Sequence, residues 1–242
     1  MGGRTRYCGR LRDILSRSRC MEADKYTPAL GWHALTGLYD SALALLTREH
    51  RWRAALLEQV AAQPGETIVD VGCGTGTLAI ALKRRAPEAH IIGIDPDPRA
   101  LKLAAEKADR AGVSIDWRQG MASALSAQPQ TVDKAVSSLV FHQVPPAGKR
   151  AGIAAMAAAL RSGGELHIAD YARQTGLARL AFRCTVQLLD GIADTQPNAD
   201  GMLESILAEV AGAAVNASCA FGTPTGTIKL FKVTPAFHAD RQ

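Results

Sequence analysis

The chain has 242 residues, 47% of them hydrophobic, and a formal net charge of +5. That much apolar material can bury a sizeable core, which excludes a disordered or fibrous chain as the default. Six arginines (Arg4, Arg6, Arg10, Arg12, Arg17 and Arg19) face one acid, Asp13, within residues 1–20, so this segment alone carries the +5 and the remainder is close to neutral. A neutral folded part has no basic track for a phosphate backbone, so nucleic acid is not the expected partner.

Residues 1–22 read as a basic, disordered arm; they lack the apolar stretch of a secretory signal, and Met21 is an alternative start. The arm's charge suits peripheral contact with an anionic membrane surface. No apolar run approaches the roughly 18–20 residues that span a bilayer. The five cysteines (Cys8, Cys20, Cys73, Cys184 and Cys219) are odd in number and show no CxxC spacing. Neither a disulfide framework nor a metal site is expected, which suits a reducing, cytoplasmic setting.

Residues 23–64 form an N-terminal helical cap, with Leu35, Leu38, Leu43, Leu45 and Leu46 and then Trp52, Leu56, Leu57 and Val60 on helical spacing. Pro64-Gly65 punctuates the chain. Alternation then begins: a strand at 67–71, a glycine-rich turn, a helix at 77–85 ended by Pro87, a strand at 90–94, and a helix at 99–111 closed by Gly112. Strands at 114–118 and 134–138 follow, then an alanine-rich helix at 149–160, a turn at Gly163-Gly164 and a strand at 165–169. This rhythm predicts βαβ units on a parallel sheet. Residues 173–200 are an insertion with Leu177, Leu180, Ala181, Leu188 and Leu189 as an apolar face and Arg173, Arg179, Arg183 and Asp190 among them. It reads as a lid over a hydrophobic acceptor or as helix packed on the core. A helix at 201–211 and strands at 215–221 and 227–233 end the domain, the two strands as an antiparallel pair; residues 235–242 are a tail.

The turn Val69-Asp70-Val71-Gly72-Cys73-Gly74-Thr75-Gly76 joins a strand to a helix. Glycines there admit a ligand close to the backbone, and the helix start offers N–H groups. Glycine turns also serve purely structural ends. Asp95, 19 residues after Gly76 at the end of the next strand, favours binding, because an acid there accepts hydrogen bonds from ribose hydroxyls. A dinucleotide fingerprint would place its third glycine where Thr77 stands, and Asp70 two residues before Gly72 suits an amino-acid ammonium better than a pyrophosphate.

These residues, with Gly93-Ile94-Asp95-Pro96, Val136-Ser137-Ser138-Leu139-Val140-Phe141-His142 and Leu160-Arg161-Ser162-Gly163-Gly164-Glu165-Leu166, resemble the class I S-adenosylmethionine (SAM)-dependent methyltransferases, in particular the ubiquinone/menaquinone C-methyltransferase-like group. The resemblance covers a little under half the chain. It implies a Rossmann-like seven-stranded α/β sheet, mostly parallel with a C-terminal antiparallel hairpin and helices on both faces, in a SAM-binding domain spanning residues 65–234. It implies SAM as cofactor, held by Asp70, Gly72, Cys73, Gly74 and Gly76, with Asp95 at the ribose, Met121 at the adenine position, and Pro96, Gly120, Ala122 and Ser137 as further cofactor-binding residues. Met121 stands where many relatives carry an aspartate. Tyr26 and Tyr39 lie in a segment resembling one that relatives fold over the active site: Tyr26 is a candidate for binding the acceptor, Tyr39 for packing over the methyl group.

Methyl transfer is an in-line displacement on an activated carbon, so positioning does most of the work and a base serves only a protonated nucleophile. His142 is the candidate base and a substrate contact, or else a loop residue before Pro145-Pro146. Asp170, Tyr171 and Arg183 are further substrate candidates. A hydrophobic or aromatic, quinol- or phenol-like small molecule methylated at C or O is the expected acceptor. The alternatives are an amine or phospholipid head group methylated at N, a non-catalytic SAM-binding protein, and a nicotinamide oxidoreductase.

Overall fold

The computed structural model describes residues 47–127 and 130–236; Tyr26, Tyr39, the basic arm and most of the helical cap lie outside them. The first described helix, α1 (Glu49–Val60), buries Trp52, Leu56, Leu57 and Val60. Five parallel strands follow: β1 (Thr67–Val71), β2 (His90–Asp95), β3 (Asp116–Gln119), β4 (Val132–Ser138) and β5 (Leu160–Tyr171). β6 (Cys219–Thr223) and β7 (Gly226–Val233) form a hairpin whose second strand pairs antiparallel with β5. The order β3-β2-β1-β4-β5-β7-β6 is the mostly parallel, hairpin-ended sheet that the alternation predicts.

The sheet is buried on both faces because its central strands are continuous apolar runs whose successive side chains point opposite ways. Ile68 joins Ile91, Leu56, Leu78 and Leu82 in one cluster. Its neighbour Val69 joins Ile92, Ile153, Met156 and Leu203 in the other. Helices α2 (Thr77–Arg85) and α3 (Pro98–Ala111) follow β1 and β2. The Asp97 carboxylate accepts the Arg99 N–H at 2.8 Å, Pro98 opens α3, and Gly112 at φ 65° closes it. Helix α4 (Pro146–Ala159) precedes β5. The insertion holds α5 (Gly176–Cys184), α6 (Val186–Asp190) and α7 (Ile192–Asp200), and α8 (Met202–Ala211) leads to the hairpin.

Two expectations are corrected here. Gly163-Gly164 does not turn the chain into a new strand: β5 already starts at Leu160, paired with Val132, and the glycines absorb a register shift before Lys134 pairs with Glu165. Leu177, Leu180, Leu188 and Leu189 of the insertion face outward, 58–85% exposed. Phe182 and Val186 anchor that segment instead.

Trp117 of β3 lies against two glycines. A Cβ on Gly93 would stand 2.4 Å from its ring, and one on Gly76 would stand 2.5 Å from it. The indole, half-buried on the edge strand β3, must shift to admit either Cβ. Gly93→Ala is therefore expected to cost about 1–3 kcal/mol of unfolding free energy through overpacking, measured by urea denaturation.

Candidate functional site

The strand order reverses between β1 and β4, and open α/β sheets bind ligands at the carboxyl ends of the strands flanking such a point. The glycine turn sits there. Gly72, Gly74 and Gly76 have φ of 69°, 53° and 77°, a region other residues enter only at a cost. The Gly72 and Cys73 N–H groups donate to the Ile94 carbonyl at 2.8 and 3.0 Å, which locks the turn onto β2. A Cβ on Gly72 would run into Val140 at 2.4 Å, whereas nothing lies within 4 Å of one on Gly74. The turn is thus packed on one side and open at its tip.

Asp70 ends this arrangement with an unusual feature. It is 1% exposed, and neither carboxylate oxygen has a hydrogen-bond partner of normal geometry. Burial pushes its acid up to about 7, against the pull of the Arg53 guanidinium and the Ala79 amide. An orphaned buried carboxylate beside an open glycine cradle fits a cationic ligand group.

Asp95 stands across the turn. Its Oδ2 accepts the Gly74 N–H at 2.8 Å and its Oδ1 the Asp97 N–H at 2.9 Å, so each oxygen retains a lone pair for an incoming hydroxyl. The Gly120 N–H reaches the Asp95 carbonyl at 3.1 Å, and Gln119 Nε2 the Pro96 carbonyl at 3.3 Å. Gly120, Met121 and Ala122 are half-buried beside them. Cys73 is buried, and desolvation raises its thiol far above the usual range, so it is not a reactive thiolate. Ser137 is fully buried and donates to the Val71 carbonyl at 2.8 Å. It ties β4 to β1 within the sheet and presents no free hydroxyl to a cofactor.

The loop after β4 carries the second half of the site. Leu139 adopts φ 55°, strained for a leucine, and turns the chain into the short 3-10 segment Phe141–Gln143. Asp170, fully buried at the end of β5, holds that turn. Its Oδ2 accepts the N–H groups of Val140, Phe141 and His142 at 3.1, 2.7 and 3.3 Å. Its Oδ1 lies 2.7 Å from both His142 Nδ1 and the Tyr171 amide. His142 Nε2 faces Asp190 Oδ2 at 3.4 Å. Burial alone would lower this imidazole, but Asp170 and Asp190 outweigh it and hold it at about 9.

His142 is therefore an imidazolium with both nitrogens engaged, and the expected accessible, near-neutral base is corrected. Tyr171 is likewise not open to substrate: it is 1% exposed, its hydroxyl bonds Thr225 Oγ1 at 2.5 Å, and its ring meets His142 edge-on. Arg183 is exposed on α5.

Sequence reasoning misses Lys149. It is fully buried on α4 and donates to the carbonyls of Phe141, His142 and Asp194 at 2.5, 3.1 and 2.7 Å. One cation thus binds the His142 loop to α7 of the insertion. Burial lowers its ammonium to about 8, with Asp170 and Asp194 pulling the other way. An open groove of about 640 Å³ lined by Ile192, Pro197, Met202 and Ser205 contains none of these residues.

Residues 68–164 match a methyltransferase domain family. The chain is 33% identical over 137 residues to a demethylmenaquinone methyltransferase of Deinococcus radiodurans, an overlap covering 56% of each protein. It is 35% identical over 102 residues to a ubiquinone biosynthesis O-methyltransferase of Methylocella silvestris, covering 41% of this chain and 39% of that one. The overlap is thus little more than half of the longer-matching of these relatives. In fold, the chain is similar to magnesium protoporphyrin IX methyltransferase of Synechocystis PCC 6803 with bound SAH, at TM-score 0.61 and 14% identity over 94% of this chain and 99% of that one.

Proposed function

Because the chain belongs to the class I SAM-dependent methyltransferases, we propose that it methylates a hydrophobic or aromatic small molecule, phenol- or quinol-like, at oxygen or carbon. SAM is the cofactor and supplies a methyl group on a sulfonium, already activated for displacement. The observation that carries the reading is the buried, unpartnered Asp70 carboxylate beside the open tip at Gly74. Asp70 would hold the ammonium of the methionine portion, Gly72 and Gly74 would admit it to the backbone, and Asp95 would take the ribose hydroxyls. The residues present fit the cofactor.

What remains for the chain is to orient the acceptor and exclude water. The insertion at 173–200, tied to the His142 loop through Lys149, serves as the lid in this reading. The matched stretch is the cofactor half of the chain, and the names of the quinone-pathway relatives support the proposed acceptor class. No helix among the described residues is long and apolar enough to cross a membrane.

Calorimetric titration with SAM, SAH and NADH tests the reading. The first two are expected to bind at micromolar affinity and NADH not at all. Asp95→Ala is expected to weaken SAH binding at least about tenfold, since it removes the ribose acceptor and the bond that fixes the Gly74 N–H of the glycine turn. Binding of NADH alone, or of none of the three, would refute it.

A further inference from the structure

The acceptor's side of the site has a chemistry that the cofactor half does not specify. His142 is fixed from behind: Asp170 holds its Nδ1 at 2.7 Å and its backbone N–H at 3.3 Å, and Lys149 holds its carbonyl at 3.1 Å. The donor left outside this clamp is Nε2, on a buried side chain. It lies two residues beyond Val140, whose side chain packs on Gly72 of the cofactor turn. The group opposite Nε2 is Asp190 Oδ2 at 3.4 Å, longer than a good N–H···O bond. Asp190 ends the five-residue helix α6, next to Gly191 at φ 85°, and its neighbours Leu188, Leu189 and Ile192 are 58–78% exposed. The clamp behind the imidazole is tight, whereas the carboxylate in front makes the longer contact, from the end of a helix that is anchored at Val186 and exposed at Leu188 and Leu189.

We propose that His142 Nε2–H is a subsite for an acidic oxygen of the acceptor (phenolate, enolate or carboxylate), and that Asp190 occupies it when no acceptor is present. The inference rests on the methyl-transfer reading and narrows its substrate. Uncovering a buried cation without replacing its partner costs several kcal/mol, whereas exchanging one carboxylate for another anion leaves the local charge unchanged. A protonated amine in the same place would meet the imidazolium as a like charge, and Asp170 already accepts five hydrogen bonds. The subsite therefore selects oxygen acids over ammonium head groups. An anionic acceptor oxygen also arrives deprotonated, so no base is required of His142; it orients the nucleophile.

The experiment uses the full chain, isotope-labelled, with SAH added, and titrates benzoate, 4-nitrophenolate and benzylamine while following the His142 imidazole by NMR. Benzoate and 4-nitrophenolate are expected to shift the Nε2–H resonance, and benzylamine to leave it in place. Asp190→Asn removes the competing carboxylate and is expected to tighten benzoate binding about tenfold, and His142→Gln to abolish it. The titrations are repeated without SAH, so the subsite is read whether or not SAH binds. Failure of SAH to bind counts against the methyl-transfer reading. An unmoved His142 resonance under both anions, or benzylamine binding as tightly as benzoate, overturns the subsite. An Asp190→Asn variant with no gain overturns the part assigned to Asp190.

Discussion

Asp170→Ala is expected to lose about 3–5 kcal/mol of unfolding free energy, the range for removing one partner of a buried charge pair. The carboxylate is fully buried and accepts four backbone N–H groups and the His142 ring. Alanine fills none of these, so three buried amides and the half-buried Val140 amide lose their acceptor, and the imidazolium keeps only the 3.4 Å contact to Asp190. The turn also stores strain at Leu139, φ 55°, which the grip on the next three amides holds in place. Asp170→Asn is no rescue, because its NH₂ would face N–H donors on one side. Urea denaturation of both variants measures the loss. A cost below about 1 kcal/mol would show that the loop is held by packing alone and that the clamp adds little.

The glycine turn and its flanking elements are legible in the sequence because their signals are local. Helix α2 begins and ends at the expected residues, since Gly76 and Pro87 bracket its apolar spacing. β1 also matches the run of apolar residues that defines it. Legibility falls where a partner far along the chain decides the outcome. Glycines at 163 and 164 read as a turn, yet pairing of Leu160 with Val132 carries the strand through them. The last strands shift for the same reason: β6 begins at Cys219 because its register is set by β7.

The site shows the same division. Asp70, Gly72, Gly74 and Asp95 come together because each ends an element whose position the alternation fixes. The state of His142 is set by Asp170, 28 residues away, and by Asp190, 48 residues away on the insertion. No local spacing reports that, so a neutral base is the natural reading of an isolated histidine and a buried imidazolium is the outcome. Lys149 fails in the opposite way. Near the start of an alanine-rich helix it looks like one more solvated lysine, and only the convergence of three carbonyls shows it to be structural. Trp117 is invisible until β3 lies beside β2 and the indole covers Gly93.

Affinity for SAH should fall about tenfold for each pH unit below 7, so that binding at pH 5 is roughly 100-fold weaker than at pH 8. Asp70 has its acid raised to about 7 in the ligand-free protein, first by burial and further by Asp95, with Arg53 and the Ala79 amide opposing. A ligand ammonium seated on that carboxylate favours its ionised form. Binding below pH 7 must therefore expel a proton, and the work of doing so is taken from the binding free energy. Stability of the ligand-free fold runs in the opposite direction. A carboxyl raised in the fold contributes stability below its unfolded value of about 4 and loses it as pH rises through 7. The ligand-free protein is thus penalised above pH 7 where SAH is expected to stabilise it most. Calorimetry in two buffers of different ionisation enthalpy counts the released proton directly. Asp70→Asn should bind SAH more weakly at pH 8 and show a flat profile between pH 5 and 8. A slope that persists in the variant would assign the proton to another group and leave Asp70 without contact to the ligand's ammonium.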